Sequence, residues 1–302
     1  MMIDKPRKAE DGQDKYDRGL IVGGDDARDA LLAEDKRLGP YIKRCTGGVE
    51  YINGETKWCL WLVGAPPELV RASPSVKSRV EGVRKFRLSS GRAQTKKLAD
   101  TPTLFGERRQ PSSRYLLIPK VSSETRRYIP IGFLEPDIIA TGSALIVSDA
   151  TSYDFGILSS SMHNAWMRYV GGRMKSDYQY SAEIVYNNFP WPDVSTPKQR
   201  ADVEAAADAV LSARDKFPDS TLADLYDPLT MPPELSRAHA SLDRAVERCY
   251  RGARFNSDRE RVEVLFTRYA TLLAPLAPAG AATTSRGAHA RKAKVPRTEP
   301  GA

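Results

Sequence analysis

The segment Phe189-Pro190-Trp191-Pro192 divides this sequence into two parts of different character. Two prolines around a large aromatic residue end a helix and cannot lie inside a central strand, because proline lacks the amide hydrogen and fixes its φ angle. Short apolar runs bounded by Pro, Gly and Ser precede the segment, and long amphipathic patterns follow it. We therefore predict an α+β domain with a mixed sheet over residues 20–190 and a helical domain over residues 191–275.

The first part contains strand patterns between turn residues. Apolar runs predict strands at residues 115–119, 127–131 and 137–147. The Asn53-Gly54 pair predicts a tight hairpin between strands at 51–54 and 57–62, because that dipeptide accepts the positive φ angle of a two-residue turn. Helix signals stand at residues 25–38 and after Ser73-Pro74, which is a typical helix start.

The second part contains three apolar stripes at helical spacing. They predict helices over residues 198–214, 235–249 and 262–272, packed as a small bundle. Both ends of the chain are poor in apolar anchors. We expect residues 1–19 to form a flexible arm and residues 276–302 a disordered basic tail.

The positive charge is concentrated in one stretch of the first part. The whole chain has a net charge of +8, whereas residues 71–130 carry 15 Lys and Arg against 4 Asp and Glu, a local charge of +11. Such a stretch suits a polyanion, because each neutralised phosphate releases counterions. A solvated basic surface without a ligand is the alternative interpretation.

This sequence lacks the residues that several classes of protein function require. Three separated cysteines and three histidines give neither a disulfide framework nor a metal-ligand spacing, so we predict no metal site and no catalytic set. A glycine-rich cofactor turn and an Asn/Asp-Pro-Pro-aromatic loop, which a DNA methyltransferase needs, do not occur. The tripeptide Glu55-Thr56-Lys57, with Asp25 or Asp26, gives only a weak indication of a metal-dependent nuclease. Without a signal segment or a long apolar run, we expect a cytoplasmic protein that does not enter a membrane.

Residues 172–181 carry the side chains with the most chemical information. In an extended conformation Lys175, Asp177 and Gln179 would project from one face, with Met174, Tyr178 and Tyr180 on the other. Lys donates hydrogen bonds to guanine, and Asp accepts a hydrogen bond from the cytosine amine. Gln pairs with adenine through two hydrogen bonds. An ion pair on a solvated strand remains the alternative interpretation.

Long motifs in this chain resemble a known family. The segments 112–124, 128–134, 162–168 and 186–192 look like the target recognition domain of the MmeI-like restriction-modification enzymes, and residues 222–235 resemble the start of the C-terminal helical domain of that family. The resemblance runs in the family's order from about Leu20 to Leu273.

The resemblance implies a role in DNA recognition. In that family one chain joins an endonuclease, an adenine methyltransferase that uses S-adenosylmethionine, and this recognition region. The resemblance places Lys175, Asp177 and Gln179 at the major groove of double-stranded DNA, with Ser143 also approaching the DNA. We expect no cofactor in this chain, because S-adenosylmethionine would belong to a methyltransferase domain that the sequence lacks.

Further cations are expected to position the duplex through its phosphates, which fixes register without specifying sequence. The candidates for this role are Lys120, Arg126, Arg127, Arg173, Lys77, Arg84 and Lys85. Two alternatives to sequence-specific recognition stay open at this point. One is an assembly subunit that docks a methyltransferase chain and contacts DNA only secondarily; the other is the nuclease.

Overall fold

A computed structural model describes residues 17–193 and 196–274. Residues 1–16 of the predicted arm and the predicted tail over 276–302 lie outside the described residues. The strands are β1 (Ile21–Gly23), β2 (Ile42–Thr46), β3 (Lys57–Leu60), β4 (Tyr115–Pro119), β5 (Val121–Ser122), β6 (Gly132–Leu134), β7 (Ile139–Ala140), β8 (Ala144–Ser148), β9 (Gly172–Met174) and β10 (Asp177–Gln179). The α-helices are α1 (Asp25–Glu34), α2 (Gly48–Asn53), α3 (Pro67–Ala72), α4 (Pro74–Ser89), α5 (Ala93–Lys97), α6 (Ser152–Ser159), α7 (Ser161–Val170), α8 (Pro197–Asp215), α9 (Leu222–Leu225), α10 (Pro233–Tyr250) and α11 (Asp258–Leu273).

The first hydrophobic core lies between a four-stranded sheet and the helices around it. The strand order is β1-β3-β2-β7, antiparallel except for the parallel pair of β2 with β7. Helix α4 begins as predicted, because the Ser73 side chain accepts a hydrogen bond from the Val76 amide and Pro74 occupies the first turn. Its Val76, Val80 and Val83 side chains are buried in this core.

The predicted hairpin at Asn53-Gly54 is wrong. Residues 48–53 form helix α2, and Gly54 ends the helix in the left-handed conformation with a φ angle of 68°. Only β3 of the two predicted strands is present, and it pairs with β1 and β2. The same backbone preference that favours Asn-Gly in a tight turn also suits a helix C-terminus, so the dipeptide did not distinguish the two structures.

Two small sheets follow, in the orders β6-β4-β8 and β5-β10-β9. The predicted strand at 115–119 is confirmed as β4, whereas residues 127–131 form no strand. Side chains hold the backbone there instead: the Asn164 carboxamide accepts from the Ile129 amide, and Arg214 donates to the Ile131 carbonyl. The predicted strand at 137–147 is two strands, β7 and β8, which belong to different sheets.

The three predicted helices of the second part are confirmed as α8, α10 and α11, and they pack on helices of the first part as well as on each other. Helices α8 and α10 pack against each other, and α8 also packs on α6. Helix α11 packs mainly on α7. One hydrophobic core therefore includes both Leu116 of β4 and Leu265 of α11. The domain boundary near residue 190 remains a prediction, since the core is continuous across it.

The mixed helix-and-sheet fold expected from the sequence is confirmed. Among the residues that the structure describes, none of the helices has the length and apolar character needed to cross a bilayer. The described residues also contain no group of three or more His, Cys, Asp or Glu placed to hold a metal ion. Cys45 and Cys59 are buried on the paired strands β2 and β3 as free thiols.

Candidate nucleic-acid interface

Residues 172–179 form a β-hairpin in place of the single extended segment that we predicted. Strands β9 and β10 are antiparallel, and Lys175 and Ser176 form the two-residue turn between them. The register pairs Met174 with Asp177, Arg173 with Tyr178, and Gly172 with Gln179. Strand β10 pairs on its other side with β5, so the hairpin is the edge of a three-stranded sheet.

The hairpin changes which side chains share a face. Directly opposite residues of an antiparallel pair project to the same side. Met174 therefore lies on the same face as Asp177 and Gln179, and the prediction that it occupies the other face is wrong. The opposite, inner face carries Arg173 and Tyr178 and continues to the buried Tyr180.

Lys175 lies at the tip of the hairpin and is exposed. Its φ angle of 59° is in the left-handed region, which a residue with a side chain adopts uncommonly. Glycine or asparagine would fit this turn position with less strain. Asp177 and Gln179 are partly exposed on the outer face beside it. The structure thus brings the three predicted residues together, with Lys175 at the turn and not in a strand.

Arg173 holds the turn from the inner face. Its guanidinium donates a 2.8 Å hydrogen bond to the Ser176 carbonyl and stacks 3.9 Å above the Tyr178 ring. It also forms an ion pair of 3.6 Å with Glu124, at the end of the β5 strand region. These contacts favour a role in positioning the hairpin over a direct contact with a phosphate.

Lys120 connects the hairpin to the loop that contains Ser143. The Lys120 amide donates to the Ser143 carbonyl, and the Lys120 carbonyl accepts from the Tyr180 amide at 2.7 Å. The Lys120 ammonium donates to the Gly142 carbonyl at 2.6 Å. The exposed Ser143 hydroxyl accepts a hydrogen bond from the Gly48 amide at 3.0 Å. Lys120 therefore connects two parts of the chain that are far apart in the sequence, residue 143 and the end of the hairpin.

Arg126 and Arg127 have different environments. Burial lowers the pKa of Arg126, and the negative charges of Asp177 and Asp227 act in the opposite direction. The Arg127 guanidinium is exposed but lies 3.7 Å from the buried Asp243 carboxylate and above the Tyr128 ring. Of this pair, Arg126 is the one whose pKa is influenced by the negative charge of Asp177 on the hairpin.

The basic helix α4 lies on the other hydrophobic core. Lys77, Arg84 and Lys85 are exposed on it, and none of the three contacts a carboxylate within residues 17–193 and 196–274. Two other arginines of this helix are not free at its surface. Arg87 is buried and donates to the carbonyls of the following loop, and Arg79 donates to the Gly19 and Ile21 carbonyls.

The residues of the nuclease hypothesis form ion pairs and hydrogen bonds with other side chains of the protein. Lys57 forms an ion pair with Glu50 of helix α2 and lies 3.9 Å from Glu55. The Asp25 carboxylate accepts from the Trp58 indole and pairs with Arg28. These contacts explain the charges around Glu55-Thr56-Lys57 without a metal ion.

The hairpin can donate and accept hydrogen bonds along one edge of a ligand. Lys175 supplies a cation that donates, Asp177 a carboxylate that accepts, and Gln179 a carboxamide that does both. Met174 adds an apolar group to this set, which the sequence did not indicate. The sequence did not indicate the hairpin, because its turn residues Lys175-Ser176 include neither Gly nor Asn, which mark tight hairpins.

Two family models match this chain. One, described as the MmeI target recognition domain, matches residues 2–193, and the other, the MmeI C-terminal domain, matches residues 194–277. DNA methyltransferase A from Bacillus subtilis (strain 168) is 42% identical over 232 residues, which cover 77% of this chain and 26% of that protein.

A solved structure of the Type IIL restriction-modification enzyme MmeI in complex with DNA has the same fold, with a TM-score of 0.82 and 42% sequence identity. The match covers 86% of this chain and 35% of the MmeI chain, so this chain spans about a quarter to a third of these relatives. From the matched domains and the shared fold, this chain belongs to the MmeI family, with the target recognition domain followed by the C-terminal domain.

Proposed function

We propose that this chain recognises a specific sequence of double-stranded DNA for an adenine-specific DNA methyltransferase of a restriction-modification system. The observation that carries the proposal is the outer face of the β9–β10 hairpin. It presents Asp177 and Gln179 side by side, with the exposed Lys175 at its tip. The family membership and the DNA complex of the related MmeI enzyme support the same function.

A two-stranded hairpin fits the major groove, which is wide enough to admit a β-ribbon. There Lys175 would donate to guanine O6 and N7, and Asp177 would accept from the amine of the paired cytosine. Gln179 would pair with adenine through its carboxamide. Ser143, which Lys120 connects to the end of the hairpin, would contact an adjoining base or sugar. The lysine in a strained turn position supports this role, because turn geometry alone would favour Gly or Asn.

The surrounding cations would hold the DNA in register. The Lys120 carbonyl accepts from the Tyr180 amide at the end of the hairpin, and the charge of Asp177 influences Arg126. Lys77, Arg84 and Lys85 form a second basic surface on α4. Phosphate contacts of this kind position a duplex and make its binding depend on salt. We assign methyl transfer, with S-adenosylmethionine as the methyl donor, to a methyltransferase domain or chain that this recognition region serves.

An exchange of two charges tests the proposal. The variant K175D/D177K keeps the net charge, so the sequence-independent part of its DNA binding should be unchanged. Selection of bound duplexes from a randomised pool should give a different preferred base pair at one position. The discrimination at that position should change by about 1–3 kcal/mol for each contact made by two hydrogen bonds.

The matched control exchanges an ion pair on helix α8, K198D/D202K, which lies in the other part of the chain. This control should select the same sequences as the native protein. If K175D/D177K also selected the native sequences with native affinity, the hairpin would not determine specificity and the proposal would be rejected.

A further inference from the structure

Met174 occupies a position on the hairpin that packing within the protein does not explain. Its side chain is 44% exposed, and it lies directly opposite Asp177 on the outer face. It contributes to neither of the two large hydrophobic cores. The inner face, which does cover the core, carries Arg173 and Tyr178 instead.

The pairing with Asp177 fixes what Met174 would contact. Side chains of directly opposite residues in an antiparallel pair have Cβ atoms about 5 Å apart. When the Asp177 carboxylate accepts a hydrogen bond from the amine at C4 of cytosine, the Met174 side chain beside it therefore reaches the next atom along the same base edge, which is C5. This atom carries a hydrogen in cytosine and a methyl group in thymine and in 5-methylcytosine. A flexible, polarisable thioether is well suited to pack on such a methyl group.

We propose that Met174 is a further specificity-determining residue, whose thioether contacts C5 of the pyrimidine that Asp177 contacts. The hairpin then distinguishes 5-methylcytosine from cytosine at this position and binds the methylated duplex more tightly. This inference rests on the proposed function, since it requires the outer face to lie against base edges. With this contact the protein detects the methylation of cytosine in addition to the base sequence.

Paired binding measurements test the inference. The duplex carries the selected sequence, with either cytosine or 5-methylcytosine at the position whose preference changes in K175D/D177K. The native 302-residue chain should bind the methylated duplex about fourfold more tightly, the factor expected for burying one methyl group. Both M174A and M174Q should bind the two duplexes equally, because one lacks the reach and the other the apolar contact.

The control variant is L273A, since Leu273 on α11 is 43% exposed and lies outside the hairpin. It should keep the fourfold preference of the native chain. If the native chain bound both duplexes equally or the methylated one more weakly, or if M174A and M174Q kept the preference, the inference would be overturned.

The two proposals fail in different ways. If K175D/D177K left the selected sequence unchanged, the function proposed for the hairpin would be wrong, and with it the role of Met174. If the exchange changed the selected base pair but methylation had no Met174-dependent effect, only the role of Met174 would be rejected.

Discussion

The Tyr128 hydroxyl donates a 2.7 Å hydrogen bond to the Asp243 carboxylate, across 115 residues of sequence. Both residues are buried. The same carboxylate accepts from the Ser161 hydroxyl and amide, and the His239 ring stacks 4.0 Å from the Tyr128 ring. This cluster joins the loop before β6, the start of α7 and helix α10, so it connects the recognition region to the helical region that follows.

The hydroxyl of Tyr128 should therefore contribute to stability. We expect Y128F to lower the free energy of unfolding by about 1–3 kcal/mol, because Asp243 would lose a hydrogen bond to a buried carboxylate. Urea denaturation measures this difference. The control is Y169F, since Tyr169 is 68% exposed, and it should change stability by less than about 0.5 kcal/mol. Equal stabilities of the two variants would contradict this account.

Gly171 should be required for the placement of the hairpin. It follows α7 directly, and a Cβ atom at this position would lie 2.5 Å from the Met167 carbonyl oxygen and 3.4 Å from that of Gln179. Those atoms are backbone and cannot move aside without shifting the helix end or β10. G171A should therefore weaken binding to the selected sequence and destabilise the protein by about 1–3 kcal/mol.

The control for this variant is G82A on α4, where a Cβ atom meets nothing within 4 Å. It should stabilise the protein by about 0.5–1 kcal/mol, because alanine favours the helix. Thermal denaturation and binding titrations measure both variants. A native-like G171A would show that the hairpin adapts to the added atom.

The basic surface of α4 should act on affinity and not on sequence preference. Each phosphate contact contributes about 0.9 to the slope of log K against log salt concentration. The triple variant K77A/R84A/K85A should reduce this slope by up to about 2.7 and leave the selected sequence unchanged. Binding titrations at several salt concentrations measure the slope.

A variant with the same loss of charge is the control for this measurement. K198A/R200A/R259A removes three cations that pair with carboxylates on α8 and α11. Its slope should stay close to that of the native chain. If both triple variants reduced the slope equally, the effect would come from net charge and not from α4.

Two buried histidines should make the protein less stable at mildly acidic pH. Burial lowers the pKa of His163 to about 3, and the pKa of His239 is also lowered by burial and then by Arg214. Each ring stays neutral in the folded protein, while the unfolded chain takes up a proton near pH 6.5. Their contribution is therefore fully present above about pH 6.5 and is lost as the pH falls towards 3.

For His163 alone the loss between pH 7 and pH 5 should be about 2 kcal/mol. The variant H163Q removes the titrating ring, and its glutamine side chain can hydrogen bond to the Tyr180 hydroxyl, which His163 contacts at 2.8 Å. Its stability should fall by about 2 kcal/mol less than that of the native chain over this pH range. Urea denaturation at both pH values measures the difference, and parallel losses would contradict the assignment.

The sequence alone determined the elements whose signals are local. Caps and apolar spacing predicted α4, α8, α10 and α11, because a helix satisfies its backbone within a few residues and its ends need particular side chains. The sequence also showed the concentration of positive charge in residues 71–130 and the chemical types of Lys175, Asp177 and Gln179. None of these features depends on a distant partner.

Tertiary structure decided the pairing, the faces and the burial of charged groups. The hairpin places Met174 beside Asp177, and Arg87 became a buried donor because carbonyls of a later loop surround it. Strand register and the satisfaction of backbone groups depend on contacts between residues far apart in the chain. A pattern of neighbouring residues does not contain that information, which is why the outer face of the hairpin emerged only from the folded protein.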